Sequence, residues 1–339
     1  VSVLELLTRL APAELPDAGV AGCVLGGAGF GQPESVVVPA WPEQFIFAPL
    51  AGSTATGLHE IWRSAELCVA GHSEGIAWRR AGAVLYGVIE LAEADFPGAG
   101  GRSPLQAASQ EAYARIFRLL AAQRLPHLWR VWNYFADING ESHGLERYRQ
   151  FNIGRQDAFL AGARGATGNV PAACAIGLAG GPLRIALMAG GQPATAIENP
   201  RQISAYDYPA DYGPRSPTFS RAALAALPGQ EILFVSGTAS IVGHRTVHAG
   251  DAAAQCREVL ANIAAVVDAA NRHCRSAAFT LGEMSYRVYV RHAADVDRVA
   301  ALLATQLGAA ADLVLVLADI CRADLLLEIE ATAIHATAR

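Results

Sequence analysis

Asp319 to Ala333 reads DICRADLLLEIEATA, a leucine-rich run that carries two glutamates two residues apart. Strand side chains alternate between faces, so Leu325, Leu327, Ile329 and Ala331 share one side while Glu328 and Glu330 share the other with Leu326. Carboxylates are almost never fully buried unless paired, so the second face meets either solvent or a site. In a site, burial disfavours the charged form, and a carboxyl that keeps its proton near neutral pH is a general acid. Leu326, Leu327 and Ile329 are the expected source of that desolvation, and Glu330 raises the proton affinity further if the two carboxyls lie close. Cys321, seven residues upstream, offers a polarisable thiol; an inert buried cysteine is the alternative. A solvent-facing strand that has drifted in sequence is the alternative for Glu328.

Composition removes several other chemistries. All 26 basic residues are arginine, since the chain has no lysine, so neither a lysine Schiff base nor a phosphate-loop lysine is available. The 339 residues are 52% hydrophobic, enough for a sizeable core, and the net charge of -5 comes without a basic cluster. Nucleic acid and anionic membranes are therefore not expected partners. The opening VSVLELLTRLAP lacks a charged segment before an apolar one, and no apolar run is long enough to span a bilayer, so a cytoplasmic protein is expected. Six cysteines are scattered singly, without metal-ligand spacing, and no metal is expected. GGAGFG, within Val24 to Pro33, fits a dinucleotide fingerprint only with a displaced glycine and no helix after it.

The elements that must position these residues form a repeat. GAVLYGVIELAE reads as a strand, Pro104 to Gln123 as a helix, HLWRVWNYFADI as a strand and Leu145 to Leu160 as a helix; PAACAIGLAGGPLRIALMAG reads as a strand pair around a Gly-Gly turn. After residue 230 the order recurs: EILFVSGTASIVG, a helix over Asp251 to Arg272, MSYRVYVRH, a helix over Ala294 to Leu307, and two closing strands. The expected class is α/β (α+β). A strand and loop region at 1–75 packs on a first module at 76–190 and a second at 229–339. Aligning Val170–Gly190 with Leu313–Ala333 without a gap sets Ile185 opposite Glu328. Residues 191–228, rich in Pro, Tyr and Arg, read as an ordered loop over a site, since disordered segments are poor in aromatics.

VSGTAS, the long helix after it and LLLEIEATA resemble the reactive-intermediate deaminase superfamily. RVWNYFADINGE, ERYRQFNIGRQDAF, the loop GQPATAIENPRQISAYDYPADYGPRSPTFSRA, LFVSGTASIVGH and the closing glutamate strand together resemble the chorismatase family. The resemblance implies repeated deaminase-like modules in a pseudo-trimer-like arrangement within one chain, hence a monomer, and cleavage of chorismate with release of pyruvate and no cofactor. It implies that Glu328 is the proton donor, and that Cys321 and Gly237 mark the branch yielding 3-hydroxybenzoate, with 4-hydroxybenzoate as a further product in some members. Chorismate carries two carboxylates, for which Arg155 and Arg215 are the best placed arginines by motif, with an ordinary surface arginine the alternative for each. Tyr148, Tyr206 and Tyr212 are candidates for hydroxyl donors and ring faces, and Gly237 and Ala239 for the pocket wall. Hydrolysis of chorismate to a dihydroxycyclohexadiene carboxylate, an imine or enamine deaminase, and a metabolite-binding protein remain alternatives.

Overall fold

Alternating apolar strands that must bury both faces set the architecture, shown by a computed structural model that describes residues 4–17, 22–33, 38–53, 55–98 and 100–337. The first three residues of the VSVLELLTRLAP opening lie outside these. Strands β1 (Leu4–Leu10), β2 (Val24–Gly31), β3 (Glu43–Phe47) and β4 (Gly57–Ser64) form a sheet in the order β1-β4-β2-β3. Next come β5 (Val69–Ser73), β6 (Ile76–Ala81), β7 (Val84–Leu91), α1 (Pro104–Gln123), β8 (His127–Ala136), α2 (Arg147–Ala161), β9 (Ala172–Leu178) and β10 (Leu183–Gly190). Their sheet runs β9-β8-β10-β7-β6-β5. The third group is β11 (Thr195–Ile197), β12 (Ala222–Leu227), β13 (Gln230–Ala239), α3 (Ala252–Asn271), β14 (Ser285–Val290), α4 (Val296–Leu307), β15 (Asp312–Leu317) and β16 (Leu327–Ala336). Read from its far edge, this sheet runs β15-β14-β16-β13-β12-β11 and matches the second strand for strand.

The first sheet shares the core of that topology. β2 and β3 are parallel, and β4 runs antiparallel to both β2 and β1, as β14 and β15 are parallel and β16 runs antiparallel to β14 and β13. Among the described residues its connections hold no α-helix, and the first holds a 3-10 turn at Pro12–Glu14. The inner faces of the three sheets meet in one core that joins Trp62, Trp132 and Phe234, with Trp62 and Phe234 ring centroids 5.8 Å apart. On the outer faces α1 lays Leu105, Ile116 and Leu120 against Val131 and Ile185, and α3 lays Val259, Ile263 and Val266 against Leu233 and Ile329. Each such side chain contributes about 1.5–3 kcal/mol when taken out of water. Asp251 is the N-cap of α3 and accepts the Ala254 N–H at 3.0 Å.

Three expectations change. PAACAIGLAGGPLRIALMAG does form two strands, but they do not pair with each other: β9 lies parallel to β8, and β10 runs antiparallel along the other edge of β8. A parallel neighbour requires a crossover, here α2, and that leaves the second edge of β8 for β10. The stretch read as a loop over 191–228 contributes β11 and β12 to the third sheet. AALAAL lacks the β-branched residues that advertise a strand, yet it is clamped to β13 through a Leu227–Gln230 pair across Pro228-Gly229, where Gly229 takes φ +76. Finally, Ile185 faces the helices, whereas Glu328 faces the inner core side, so the gap-free alignment is one residue out of phase. A slip of one residue exchanges the faces of a strand.

Candidate active site

The site begins at a break in the β13 ladder. Pairing between β13 and β16 shifts register between Val235 and Thr238, a bulge that holds Ser236 and Gly237. Ser236 anchors it across the units, accepting the Ala173 N–H of β9 at 2.9 Å and donating to the Ser220 carbonyl at 2.6 Å. Glu328 on β16 sits opposite Ala239 on one side and Tyr289 on the other, 3% exposed. A Cβ added at Gly237 would overlap Glu328 Oε1 and stand 2.8 Å from Cδ and 3.1 Å from Cys174 Cβ. A side chain there could be accommodated only by displacing the Glu328 carboxyl, which fills the space.

Around this carboxyl lies a cavity of about 230 Å3 between the second and third units. Helix α2 supplies Tyr148 and Arg155, seven residues and two turns apart on one face. Arg155 is 1% exposed, donates through Nη2 to Asn152 Oδ1 at 2.8 Å, and retains a buried Nε with no hydrogen-bond partner. The segment before β12 brings Tyr208, Tyr212, Phe219 and Arg221. Arg221 Nη2 donates to the Tyr208 hydroxyl at 2.8 Å, and its buried Nε also has no partner. Arg322 stacks over the Tyr212 ring at 4.2 Å and donates to the His244 carbonyl at 2.9 Å. Cys321 Sγ lies 3.9 Å from Glu328 Oε2 as a weak donor.

Burial pushes the Glu328 carboxyl up to about 7, while the Arg130 guanidinium, the Cys321 thiol and Arg221 pull it back. Leu327 and Ile329 are not the cause, since both point into the helix-side core; the apolar cover comes from neighbouring strands through Cys174, Gly237 and Ala239. Glu330 is not a second acid beside Glu328 either, because it is buried in ion pairs with Arg130 and Arg287. Burial raises the Cys321 and Cys174 thiols well above their ordinary range, so both stay neutral rather than nucleophilic.

Of the residues singled out from sequence, Glu328, Cys321, Arg155, Tyr148, Tyr212, Gly237 and Ala239 line this one cavity. Arg215 and Tyr206 do not. The Arg215 side chain is 46% exposed and faces Asp157 at 3.5 Å, outside the cavity. Tyr206 lies within the 3-10 turn Ala205–Asp207 and is directed to Glu198; the change of chain direction after the turn brings Tyr208 inward instead. The Arg in the motif was legible, but which Arg of the loop faces inward depended on turns that sequence does not reveal. Arg221, Arg322, Tyr208, Cys174 and Glu146 line the cavity without having been singled out. Arg322 adjoins Cys321 and Arg221 lies within the PTFSRA stretch, signals that were present but not distinctive. His244 stays outside and bonds Tyr212.

A carboxyl raised to about 7, two neutral thiols and guanidinium groups on an apolar floor suit a small, flat, anionic molecule that accepts a proton. Among the described residues, no group of three or more His, Cys, Asp or Glu is placed to hold a metal ion. No helix among them is long and apolar enough to cross a membrane.

Comparison with known proteins adds the family. Residues 60–189 match the model for "Chorismatase FkbO/Hyg5-like, N-terminal". A chorismatase of Streptomyces rapamycinicus is 41% identical over 281 residues, covering 80% of each chain. A 3-hydroxybenzoate synthase of Streptomyces hygroscopicus is 37% identical over 298 residues, covering 83% of each. A chorismatase crystal structure superposes with a TM-score of 0.85 at 33% identity, covering 98% of both chains. With this agreement in sequence and fold over most of its length, the chain belongs to the chorismatase family.

Proposed function

We propose that the protein cleaves chorismate to 3-hydroxybenzoate and pyruvate, with Glu328 as the proton donor. The observation that carries this reading is the buried Glu328 carboxyl, poised at about 7 in a cavity with Arg155, Arg221 and Arg322. Two carboxylates of the substrate meet these guanidiniums, and the ring lies against Tyr148 and Phe219. Glu328 protonates the terminal methylene carbon of the enolpyruvyl ether and converts it to an oxocarbenium ion. The neighbouring ring hydroxyl then displaces the ether oxygen, and the C–O electron pair leaves with pyruvate. The proton that the hydroxyl gives up restores Glu328; the bond from that oxygen to its original ring carbon then breaks, and the proton lost from the ring carbon that now carries the oxygen is returned to the oxygen, which aromatises the product. The two products together are an isomer of chorismate, so no water is consumed. An apolar floor of Ala173, Cys174, Ala239, Ile241 and Ala323 supports this route, because it keeps water from the oxocarbenium ion.

One chain already packs three sheets of related topology around a shared core, so we read the protein as a monomer acting on a small molecule, with no nucleic-acid or membrane partner. The test is to mix purified protein with chorismate and follow pyruvate together with the ring product. Equal amounts of pyruvate and 3-hydroxybenzoate, with or without some 4-hydroxybenzoate, are expected. A dihydroxycyclohexadiene carboxylate would move the protein to the hydrolytic branch. Chorismate binding without either product would make it a binding protein.

A further inference from the structure

Behind Glu328, on the same face of β16, Glu330 ties the three units together. Its Oε2 pairs with Arg130 Nη2 of β8, while Oε1 accepts the Tyr289 hydroxyl at 2.7 Å and lies 3.3 Å from Arg287 Nη1. Arg287 is held in turn by Glu60 of β4 at 2.7 Å, and the Tyr134 and Tyr289 hydroxyls meet at 2.5 Å. The four ionisable groups, Arg130, Arg287, Glu60 and Glu330, are all buried, two basic side chains paired with two acidic ones. Arg130 is 2% exposed, its Nη1 has no hydrogen-bond partner, and its charge reaches both Glu328 and Cys174.

Other charged or titratable groups also face Glu328. Helix α2 brings Tyr148, Arg149 and Arg155, its N-cap position brings Glu146, and β9 brings Cys174. Arg221 precedes β12, Cys321 and Arg322 precede β16, and Tyr289 stands opposite on β14. The distinction among the arginines is one of access. Arg155, Arg221 and Arg322 line the cavity, where a dianionic ligand meets them, whereas Arg130 does not line it and its charge is met from the protein side. A buried cation beside a carboxyl favours the ionised form, the wrong one for a proton donor.

We propose that Arg130 and Glu330 are positioning residues for the proton transfer, Glu330 offsetting the Arg130 guanidinium so that Glu328 in front of it holds a transferable proton. This rests on Glu328 as the acid. The Arg130 contribution comes from the second unit and the Glu330 contribution from the third, so the acid's proton affinity depends on how the two units dock.

The experiment titrates Glu328 in the substrate-free protein by the infrared carbonyl stretch of its protonated carboxyl, assigned with Glu328→Gln, and compares it with kcat and KM for chorismate across pH. Glu330→Gln is expected to lower the pH at which the band is lost by at least about one unit, and kcat at pH 7 by about tenfold, with KM changed less than about twofold. Arg130→Met/Glu330→Gln removes one charge of each sign and is expected to move the loss above the wild-type pH. Glu330→Asp, which keeps the charge, should restore the wild-type profile. An unchanged Glu328 titration in either folded variant overturns the proposal; the double variant decides if Glu330→Gln does not fold. The infrared reading needs no turnover, so a wild-type protein that fails to cleave chorismate would count against the function and not against the charge coupling.

Discussion

At the scale of single residues, the chemistry rests on a carboxyl that keeps its proton in a buried place. Replacing Glu328 by Gln preserves shape and removes the acid, so kcat is expected to fall by about 10²–10⁴ with the fold retained, as read by circular dichroism. In the proposed mechanism the protonated form is the active one, so kcat should decline as pH rises through about 7, the value to which burial raises Glu328. Gly237 is bound to the same carboxyl by sterics. Gly237→Ala places a methyl where Oε1 lies, and a loss in kcat of at least about tenfold is expected from the displaced acid, with pyruvate release as the readout. Cys321 adds a neutral thiol on the other side of the carboxyl. Cys321→Ala leaves room beside the reacting carbon that water can enter, so a diol product should appear beside the hydroxybenzoate in a chromatographic assay.

At the scale of elements, the cavity is assembled from parts of different kinds. The bulge in β13 and the inward face of β16 hold the acid rigidly, because both are locked into the sheet by register on either side. The segment before β12 carries the adaptable aromatic and guanidinium groups, and the 3-10 turns Ala205–Asp207 and Ala210–Tyr212 decide which of its side chains face inward. The two loop arginines therefore separate in function. Arg221→Ala should raise KM for chorismate about tenfold or more, since it removes a buried partner for a carboxylate, whereas Arg215→Ala should leave both kinetic constants within about twofold.

At the scale of the whole molecule, three sheets of one topology bury a shared core, and the acid pays a stability cost for lying in it. Glu328 binds its proton more tightly in the folded protein, near 7, than in the unfolded chain, near 4.5. Between those values the folded state holds more protons, so stability falls as pH rises from about 4.5 through about 7. Glu328→Gln carries no such penalty. Its melting temperature should exceed that of the wild type above pH 7, where the advantage is on the order of 3 kcal/mol at most, and the two should converge below pH 4.5 in scanning calorimetry.

Much of this was legible in the chain. The alternation in LLLEIEATA set Glu328 and Glu330 on one face, the twofold order of strands and helices marked the repeat, and the absence of lysine removed whole classes of mechanism, because each depends only on local periodicity or on composition. The tertiary structure decided which carboxyl opens on the cavity and which is held in ion pairs. Glu328 and Glu330 share a strand face, yet one meets Gly237 and a cavity while the other meets Arg130 and Arg287 from distant strands. It likewise chose Arg221 over Arg215 and Tyr208 over Tyr206, and revealed a third sheet, β1 to β4, that shares the core of the same topology. The physical reason is the same in each case: a strand's pattern tells which side chains share a face, but the desolvation and charge that face experiences come from whatever packs against it from elsewhere in the chain.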